Sequence, residues 1–336
     1  MIQEFIRRLF FIPPKLPETV QIGITNRCNF NCKMCQRKDL NVDIKDMDIE
    51  LYKKIISEIK KISDKFNNRY LKNLILTGWG EPFLHPQLFE MIKIAKDNNF
   101  LVRLTSNGFF LNSENIEKIF LSKLDAITFS IDEINHDEDT SGHPVSIQLK
   151  GIKELLDRRQ LLLEENKNIN LKVYFQSTYH KNKKDKIFEV LDWAQKNYVD
   201  RLRVSRLDIR FKKFDRPNLE EEKRLVQKVD FLIKNKKIGF DFLPHTALDG
   251  FTRKLYRIFY PLLHRKGRYC LRTFSDLYIN VSGEITPCCG LPKFSFGNIL
   301  ESDLEVLWNG CKFKNFRENY KNFCGKCDIL AIKPYL

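Results

Sequence analysis

Cys28, Cys32 and Cys35 follow one another as C-x3-C-x2-C, directly after the apolar run Val20-Gln21-Ile22-Gly23-Ile24. No other feature constrains the fold as much, because three thiols this close can serve one site only from a tight loop at the end of a strand. A four-iron cluster with complete protein ligation takes four cysteines. Three local thiolates leave one iron with a free position, as catalytic metal centres keep one and structural centres do not. A zinc site, or three unrelated buried thiols, would use the same residues.

The run Thr25-Asn26-Arg27-Cys28-Asn29-Phe30-Asn31-Cys32-Lys33-Met34-Cys35 resembles the signature loop of the radical S-adenosylmethionine (SAM) enzymes. The resemblance implies a [4Fe-4S] cluster on Cys28, Cys32 and Cys35 whose open iron is chelated by the amino and carboxylate groups of SAM. It implies reductive cleavage of SAM to methionine and a 5′-deoxyadenosyl radical, the hard chemistry belonging to the cofactor. Met34 falls in the slot the family uses beside adenine, although packing against the barrel wall is an equally ordinary use for it.

With 336 residues, 43% of them hydrophobic, the chain can bury a core large enough for a barrel and a small second domain. No window approaches the roughly 18 apolar residues of a membrane span. The segment Phe5-Ile6-Arg7-Arg8-Leu9-Phe10-Phe11-Ile12 is short and stopped by Pro13-Pro14, so it reads as a helix packed on the body or touching a membrane surface, not as a signal peptide. Nine cysteines are an odd number, and their clustered spacings point to a soluble protein of the reducing cytoplasm rather than to a disulfide framework. The formal charge of +15 raises RNA as a partner. Lys, Asn, Ile and Phe are all abundant, so a compositional bias of the source explains the charge equally well, and nucleic acid is not the expected partner.

Apolar β-rich runs alternate with stretches of helical period, the pattern of a parallel sheet built from βα units. Strands are expected at Val20 to Ile24, Leu74 to Thr77, Leu101 to Thr105, Ala126 to Ser130, Leu171 to Gln176 and Arg201 to Val204. Helices are expected at Leu51 to Ile62, Gln87 to Asp97, Glu114 to Leu121, Ile147 to Leu163, Lys186 to Lys196 and Glu220 to Lys234. Six units make a partial (β/α)6 TIM-like barrel of the α/β class, which is also what the family resemblance implies. The expected division is an extension over 1–18, the barrel over 19–240, an irregular bridge over 241–269 and a cysteine-rich unit over 270–336.

Active sites of parallel barrels lie where strands end, and the motifs fall there. Gly78-Trp79-Gly80-Glu81-Pro82 follows the second strand and resembles the family's Gly-Gly-Glu-Pro motif, whose backbone carbonyls bind the amino group of SAM; Trp79 replaces a glycine, and its indole is expected on the adenine or substrate side. Taken alone, this run is also an ordinary glycine turn ahead of a helix. Asn107, in Ser106-Asn107-Gly108, serves the cofactor or simply the turn. Ser130 and Asp132 share one face of the fourth strand if the strand continues, and the resemblance gives them contacts to the SAM ribose or carboxylate. Gln176, Thr178, Ser205 and Arg206 are polar groups near the mouth, with Arg206 a bidentate clamp for the SAM carboxylate. His85, Asp132 and Glu133 are titratable groups near strand ends with no acid or base role assigned.

Cys270, Cys288, Cys324 and Cys327 form a C-x17-C pair and a C-x2-C pair, which closes a four-thiolate site. With Val281-Ser282-Gly283-Glu284-Ile285 and Gly297-Asn298-Ile299 between them, the arrangement resembles the SPASM or twitch domain of radical SAM enzymes and implies one auxiliary [4Fe-4S] cluster; zinc is the competing occupant. Cys289 and Cys311 remain, as buried bystanders or, for Cys289, as an alternate ligand or hydrogen donor to a product radical. Arg27, Lys33, Arg37 and Lys38 surround the first loop and would attract an acidic flavodoxin or ferredoxin-type reductant, or are simply solvated.

The expected function is radical abstraction of hydrogen from a substrate, for oxidation or bond formation, with the auxiliary cluster accepting an electron. The first loop begins at residue 28, which tilts the expectation toward a sugar or other small metabolite, or a peptide presented by a separate protein. An RNA-modifying radical enzyme and a non-catalytic zinc protein are the alternatives.

Overall fold

The computed structural model describes residues 15–67, 70–135, 144–181, 184–207, 217–234, 238–243, 272–324 and 327. Cys270 and most of the expected extension and bridge lie outside them.

The strands are β1 (Thr19–Ile22), β2 (Asn73–Leu76), β3 (Leu101–Ser106), β4 (Ala126–Ser130), β5 (Lys172–Tyr179), β6 (Arg201–Arg206), β7 (Gly239–Leu243), β8 (Asp276–Ile279), β9 (Glu284–Thr286) and β10 (Gly297–Asn298). They form one sheet in the order β10-β9-β8-β1-β2-β3-β4-β5-β6-β7. From β8 through β7 every neighbouring pair is parallel, while β9 and β10 run antiparallel. The expected units are present within a few residues of their expected limits, and the sheet belongs to the α/β class with a partial barrel.

Alternation within the strands separates two faces. Val20, Leu74, Val102, Ile127, Val173, Leu202 and Phe242 point to one side and pack with Ile55, Met91, Ile116, Ile152 and Val190 of the intervening helices. The opposite face lines the barrel interior and carries polar residues, including Gln21, Thr105, Thr128, Gln176 and Arg203. Parallel strands buried on both faces read as continuous apolar runs; here the interior is left polar, as a chamber for ligand requires.

At the end of the barrel away from the site, one device is used twice. Asp125, ahead of β4, accepts the Val102 N–H at 2.7 Å and pairs with Lys96 at 2.6 Å; Asp200, ahead of β6, accepts the Val173 N–H at 2.8 Å and pairs with Arg159 at 2.5 Å. Each carboxylate satisfies a strand-end donor that would otherwise be left without a partner as the strands begin.

Two findings differ from the sequence expectation. A seventh parallel strand, β7, crosses the expected limit at 240, its Phe240 and Phe242 alternating where the sequence reads as bridge. The cysteine-rich unit is also continuous with the barrel sheet, because β8 pairs along the full length of β1, Gln21 opposite Tyr278 and Ile22 opposite Ile279. That seam is filled. A Cβ on Gly23 would lie 2.3 Å from the Tyr278 hydroxyl oxygen, and one on Gly78 3.1 Å from the same atom. Gly23→Ala should therefore cost about 1–3 kcal/mol, as overpacked sites do. Chemical denaturation should find that Tyr278→Phe in the same chain recovers part of the loss, and fully additive effects would contradict the contact.

Candidate radical SAM site

The loop after β1 gathers Cys28, Cys32 and Cys35 around a cavity of about 250 Å³ that Phe30, Asn31, Lys33, Arg37 and Lys38 also line. The Cys35 N–H donates to the Cys32 carbonyl at 3.0 Å, closing the turn between the last two thiols. Phe30 is buried and meets Phe109 edge-to-face at 5.8 Å. Burial raises the pKa of the Cys28 thiol, and Glu81 and Cys35 add to this; the Phe30 N–H and the Arg37 charge act in the opposite direction. A metal that binds here must displace the proton, so loading is coupled to pH. Among the described residues no three Cys, His, Asp or Glu side chains converge on a single-ion site. A four-iron cluster takes one thiolate per iron, a wider ring than the shell of one ion, and three thiols around a cavity suit it.

The glycine turn after β2 closes on this loop. A Cβ on Gly80 would lie 2.4 Å from the Arg27 carbonyl oxygen and 2.6 Å from that of Thr25, so only glycine allows the approach. The next residue extends the contact, the Glu81 N–H donating to the Arg27 carbonyl at 2.7 Å. The Glu81 side chain is fully buried. It accepts from Ser106 Oγ at 2.8 Å, from the Asn107 N–H at 2.7 Å and from the Phe83 N–H at 3.2 Å. Asn107 Nδ2 in turn donates to Asn29 Oδ1 at 2.9 Å, inside the cysteine loop. The side chains of Glu81 and Asn107, both expected among the cofactor contacts, tie the three loops together. Burial raises the Glu81 pKa, three donors oppose it, and the result is about 7.

Arg27 is engaged with Asp46, through Nε at 3.0 Å and Nη2 at 2.6 Å. Burial raises the Asp46 pKa, but the hydrogen bonds from Arg27 and Thr25 outweigh it and leave the carboxyl below its usual value. Arg37 donates to the carbonyls of Asn26 and Phe30 at 3.1 and 3.4 Å. Of the four basic residues expected to face a reductant, Lys33 and Lys38 are exposed. His85 is structural: its Nδ1 accepts from the Gln87 N–H, so Nε2 carries the proton and donates to the Met47 carbonyl at 2.9 Å. Met34 is half-buried.

Register places the mouth residues. Ser130, Gln176, Arg203 and Asp241 lie opposite one another across β4, β5, β6 and β7, a polar rung on the interior face. Thr178 and Ser205 form the next step. Asp132 accepts the Thr178 N–H at 2.6 Å, which joins the ends of β4 and β5. Arg206 is corrected: it shares the helix-packed face with Leu202 and Val204, and its guanidinium is buried against Glu222, Nε donating at 2.7 Å and Nη2 to the second carboxylate oxygen. Arg203, missed by sequence reading, is the β6 arginine on the interior face, 3.8 Å from Asp241. The signal was present in Leu202-Arg203-Val204-Ser205-Arg206, whose alternation assigns Arg203 and Ser205 to one side and Arg206 to the other.

The second cysteine group lies behind the β8–β9 hairpin, in the same sheet as the strand that leads to the first. Cys288 and Cys289 form the turn after β9, and the Cys288 carbonyl accepts from Thr286 Oγ1 at 3.1 Å and the Leu291 N–H at 3.2 Å. Cys324 ends the helix Cys311–Cys324, the Cys327 N–H donates to its carbonyl at 2.8 Å, and both cysteines pack on the core. Arg317 of this helix donates to the carbonyls of Trp308 at 3.0 Å and Thr273 at 3.3 Å. Its guanidinium lies 4.1 Å from the Trp308 ring centre and 4.0 Å from that of Phe313, and burial lowers its pKa to about 10. Cys311, expected buried, is exposed. The indole Nε1 of Trp79 donates to the Cys289 carbonyl at 3.0 Å.

Two measurements test these assignments. Glu81 titrates near 7 in the folded chain and near 4.5 when unfolded, so the folded state holds the extra proton between those values. Its contribution to stability is present at the acid side and is lost as pH rises through that window. Urea unfolding of Glu81→Gln should show a flatter pH dependence there than the parent chain. Glu222→Leu leaves Arg206 buried without its carboxylate and should cost about 3–5 kcal/mol. The double variant Arg206→Met/Glu222→Leu should recover most of that and still bind SAM by calorimetry; a stable double variant with no SAM binding would return Arg206 to the clamp role.

Comparison with known proteins agrees with this geometry. The sequence model of an iron–sulfur cluster-binding domain, SPASM, matches residues 270–328. The tungsten-containing aldehyde ferredoxin oxidoreductase cofactor-modifying protein of Pyrococcus furiosus is 25% identical, over 92% of this chain and 86% of its own. The antilisterial bacteriocin subtilosin biosynthesis protein AlbA of Bacillus subtilis is 23% identical, over 94% of this chain and 68% of its own. Streptococcus suis SuiB bound to S-adenosylmethionine shares the fold with a TM-score of 0.70 at 16% identity, covering 94% of this chain and 72% of SuiB, and SuiB is also solved with its precursor peptide SuiA. The sequence model of the Radical SAM superfamily matches residues 22–194, from the end of β1 into the fifth barrel helix and over more than half of the chain. On that match, and on a strand-end loop that gathers three thiols around one cavity, this chain belongs to the radical SAM superfamily and works with SAM and [4Fe-4S] clusters.

Proposed function

We propose that this enzyme oxidises a peptide by two electrons at the mouth of the barrel. The observation that carries the oxidative half is the pairing of β1 with β8, which sets the strand leading to Cys28 beside the hairpin leading to Cys288. Cys28, Cys32 and Cys35 would hold the SAM-binding cluster, and Cys270, Cys288, Cys324 and Cys327 the auxiliary one. When bound, the first cluster supplies the electron that cleaves SAM to methionine and a 5′-deoxyadenosyl radical. A substrate that yields a hydrogen atom to that radical, one further electron to the four-thiolate site and a proton to solvent leaves oxidised by two electrons.

The chain's own residues orient the reactants. The backbone carbonyls of Gly78 to Glu81 would accept from a SAM amino group, and the rung Ser130-Gln176-Arg203 would offer donors to carbonyl and carboxylate groups. The peptide class rests on AlbA and SuiB, whose names record bacteriocin biosynthesis and a precursor peptide. Exposed Lys33 and Lys38 suit an acidic flavodoxin or ferredoxin, and the thiol sites suit a reducing cytoplasm. No helix among the described residues is long and apolar enough to cross a membrane.

Anaerobic reconstitution should give roughly eight irons, the sum of two four-iron clusters, and dithionite with SAM should give 5′-deoxyadenosine. Cys28→Ala should abolish the nucleoside, whereas Cys288→Ala should retain it and lose the oxidised peptide, read as the absence of a product two hydrogen atoms lighter. A product isomeric with its substrate would refute the oxidation.

A further inference from the structure

We propose that Trp79 is a positioning residue that couples the SAM-binding turn to the auxiliary-cluster loop, so that filling one site changes the other. The inference rests on the reading of Cys288 as a ligand of the auxiliary cluster and of the turn from Gly78 to Glu81 as a contact of SAM.

Trp79 stands where the family motif has glycine, and its backbone belongs to the turn that meets SAM. Its side chain leaves that turn for a carbonyl 210 residues away in sequence, the Nε1–H donating to Cys289 at 3.0 Å. An indole has one donor and no acceptor, so it fixes the direction of the carbonyl it meets. The neighbouring Cys288 carbonyl is already held by Thr286 and Leu291 from within the C-terminal unit. The Trp79 bond ties the same cysteine turn to the barrel.

A second aromatic side chain lies in the same seam. Tyr278 is buried, and its hydroxyl fits into the notch that Gly23 and Gly78 leave, excluding a Cβ at Gly23 and leaving one at Gly78 only a tight fit. Burial, then the nearby Cys289 and Cys288, raise its pKa and keep the phenol neutral. The backbone of Gly78 is thus pressed on Tyr278 on one side while its neighbour Trp79 holds Cys289 on the other. A movement of this turn when SAM binds has little room to be absorbed locally and is passed to the residue beside Cys288. Contacts just outside the ligands set the potential of an iron–sulfur centre, and coupling between two sites is reciprocal.

The test uses the reconstituted holoenzyme and EPR-monitored redox titration of the auxiliary cluster, with and without S-adenosylhomocysteine, which binds without being cleaved. The parent enzyme should show a ligand-dependent shift; a tenfold coupling, within the ordinary range for linked sites, reads as about 59 mV for a one-electron couple. Trp79→Phe keeps a ring and removes the N–H, and should lose most of the shift while keeping its full iron content. A potential insensitive to the ligand in the parent enzyme, or a shift that survives in Trp79→Phe, overturns the coupling. A parent iron count of roughly four, with no second signal, instead overturns the cysteine assignment beneath it and the coupling with it.

Discussion

β1 is hydrogen-bonded on both sides, to β2 and to β8, and the rest of the site depends on that double pairing. A strand held in the middle of a sheet cannot shift its register without turning its apolar side chains away from the core. Val20 and Ile22 are fully buried, so the exit of the chain toward Cys28 is fixed. The two flanking strands carry one motif each: β2 leads directly to the glycine turn, and β8 leads through its antiparallel partner β9 to the cysteine turn. Gly80 then locks the first of these onto the loop at a separation no side chain permits.

The buried charges around the site are scaffold. Glu81 receives donors from the loop after β3, and Arg206 lies on Glu222 with both side chains almost fully buried. Arg317 has aromatic faces and two carbonyls around its guanidinium. Burying a charge costs heavily unless partners surround it, and each of these groups is placed among such partners. Such contacts hold cysteine-bearing loops that have few apolar residues of their own.

Much was legible in the sequence. The alternation of β-rich runs and helical periods located six barrel units to within a few residues, and Ala126–Ser130 and Lys186–Lys196 agree at both ends. The cysteine spacings identified both metal-binding regions. The misses share a cause. β7 holds one glycine and a charged Asp241 in its five residues and lies beside Pro244, so its pattern does not stand out. Arg206 was chosen because arginine suits a carboxylate, although two-residue alternation puts it with Leu202 and Val204. Glu81 and Asn107 carry polar groups that suit a ligand equally well; only the positions of Ser106 and Asn29 give them other partners.

By itself the sequence determined the chemistry and the local structure: three thiols after a strand, four more near the C-terminus, a glycine turn and the units of a parallel barrel. These follow from residue type and spacing, which act over a few residues. Only the tertiary structure decided that β8 adds to β1, that the Trp79 indole reaches Cys289 and that Arg203, not Arg206, faces the interior. Those outcomes depend on which strands pair and in which register, and pairing across more than two hundred residues is chosen by the packing of the whole sheet rather than by any local pattern.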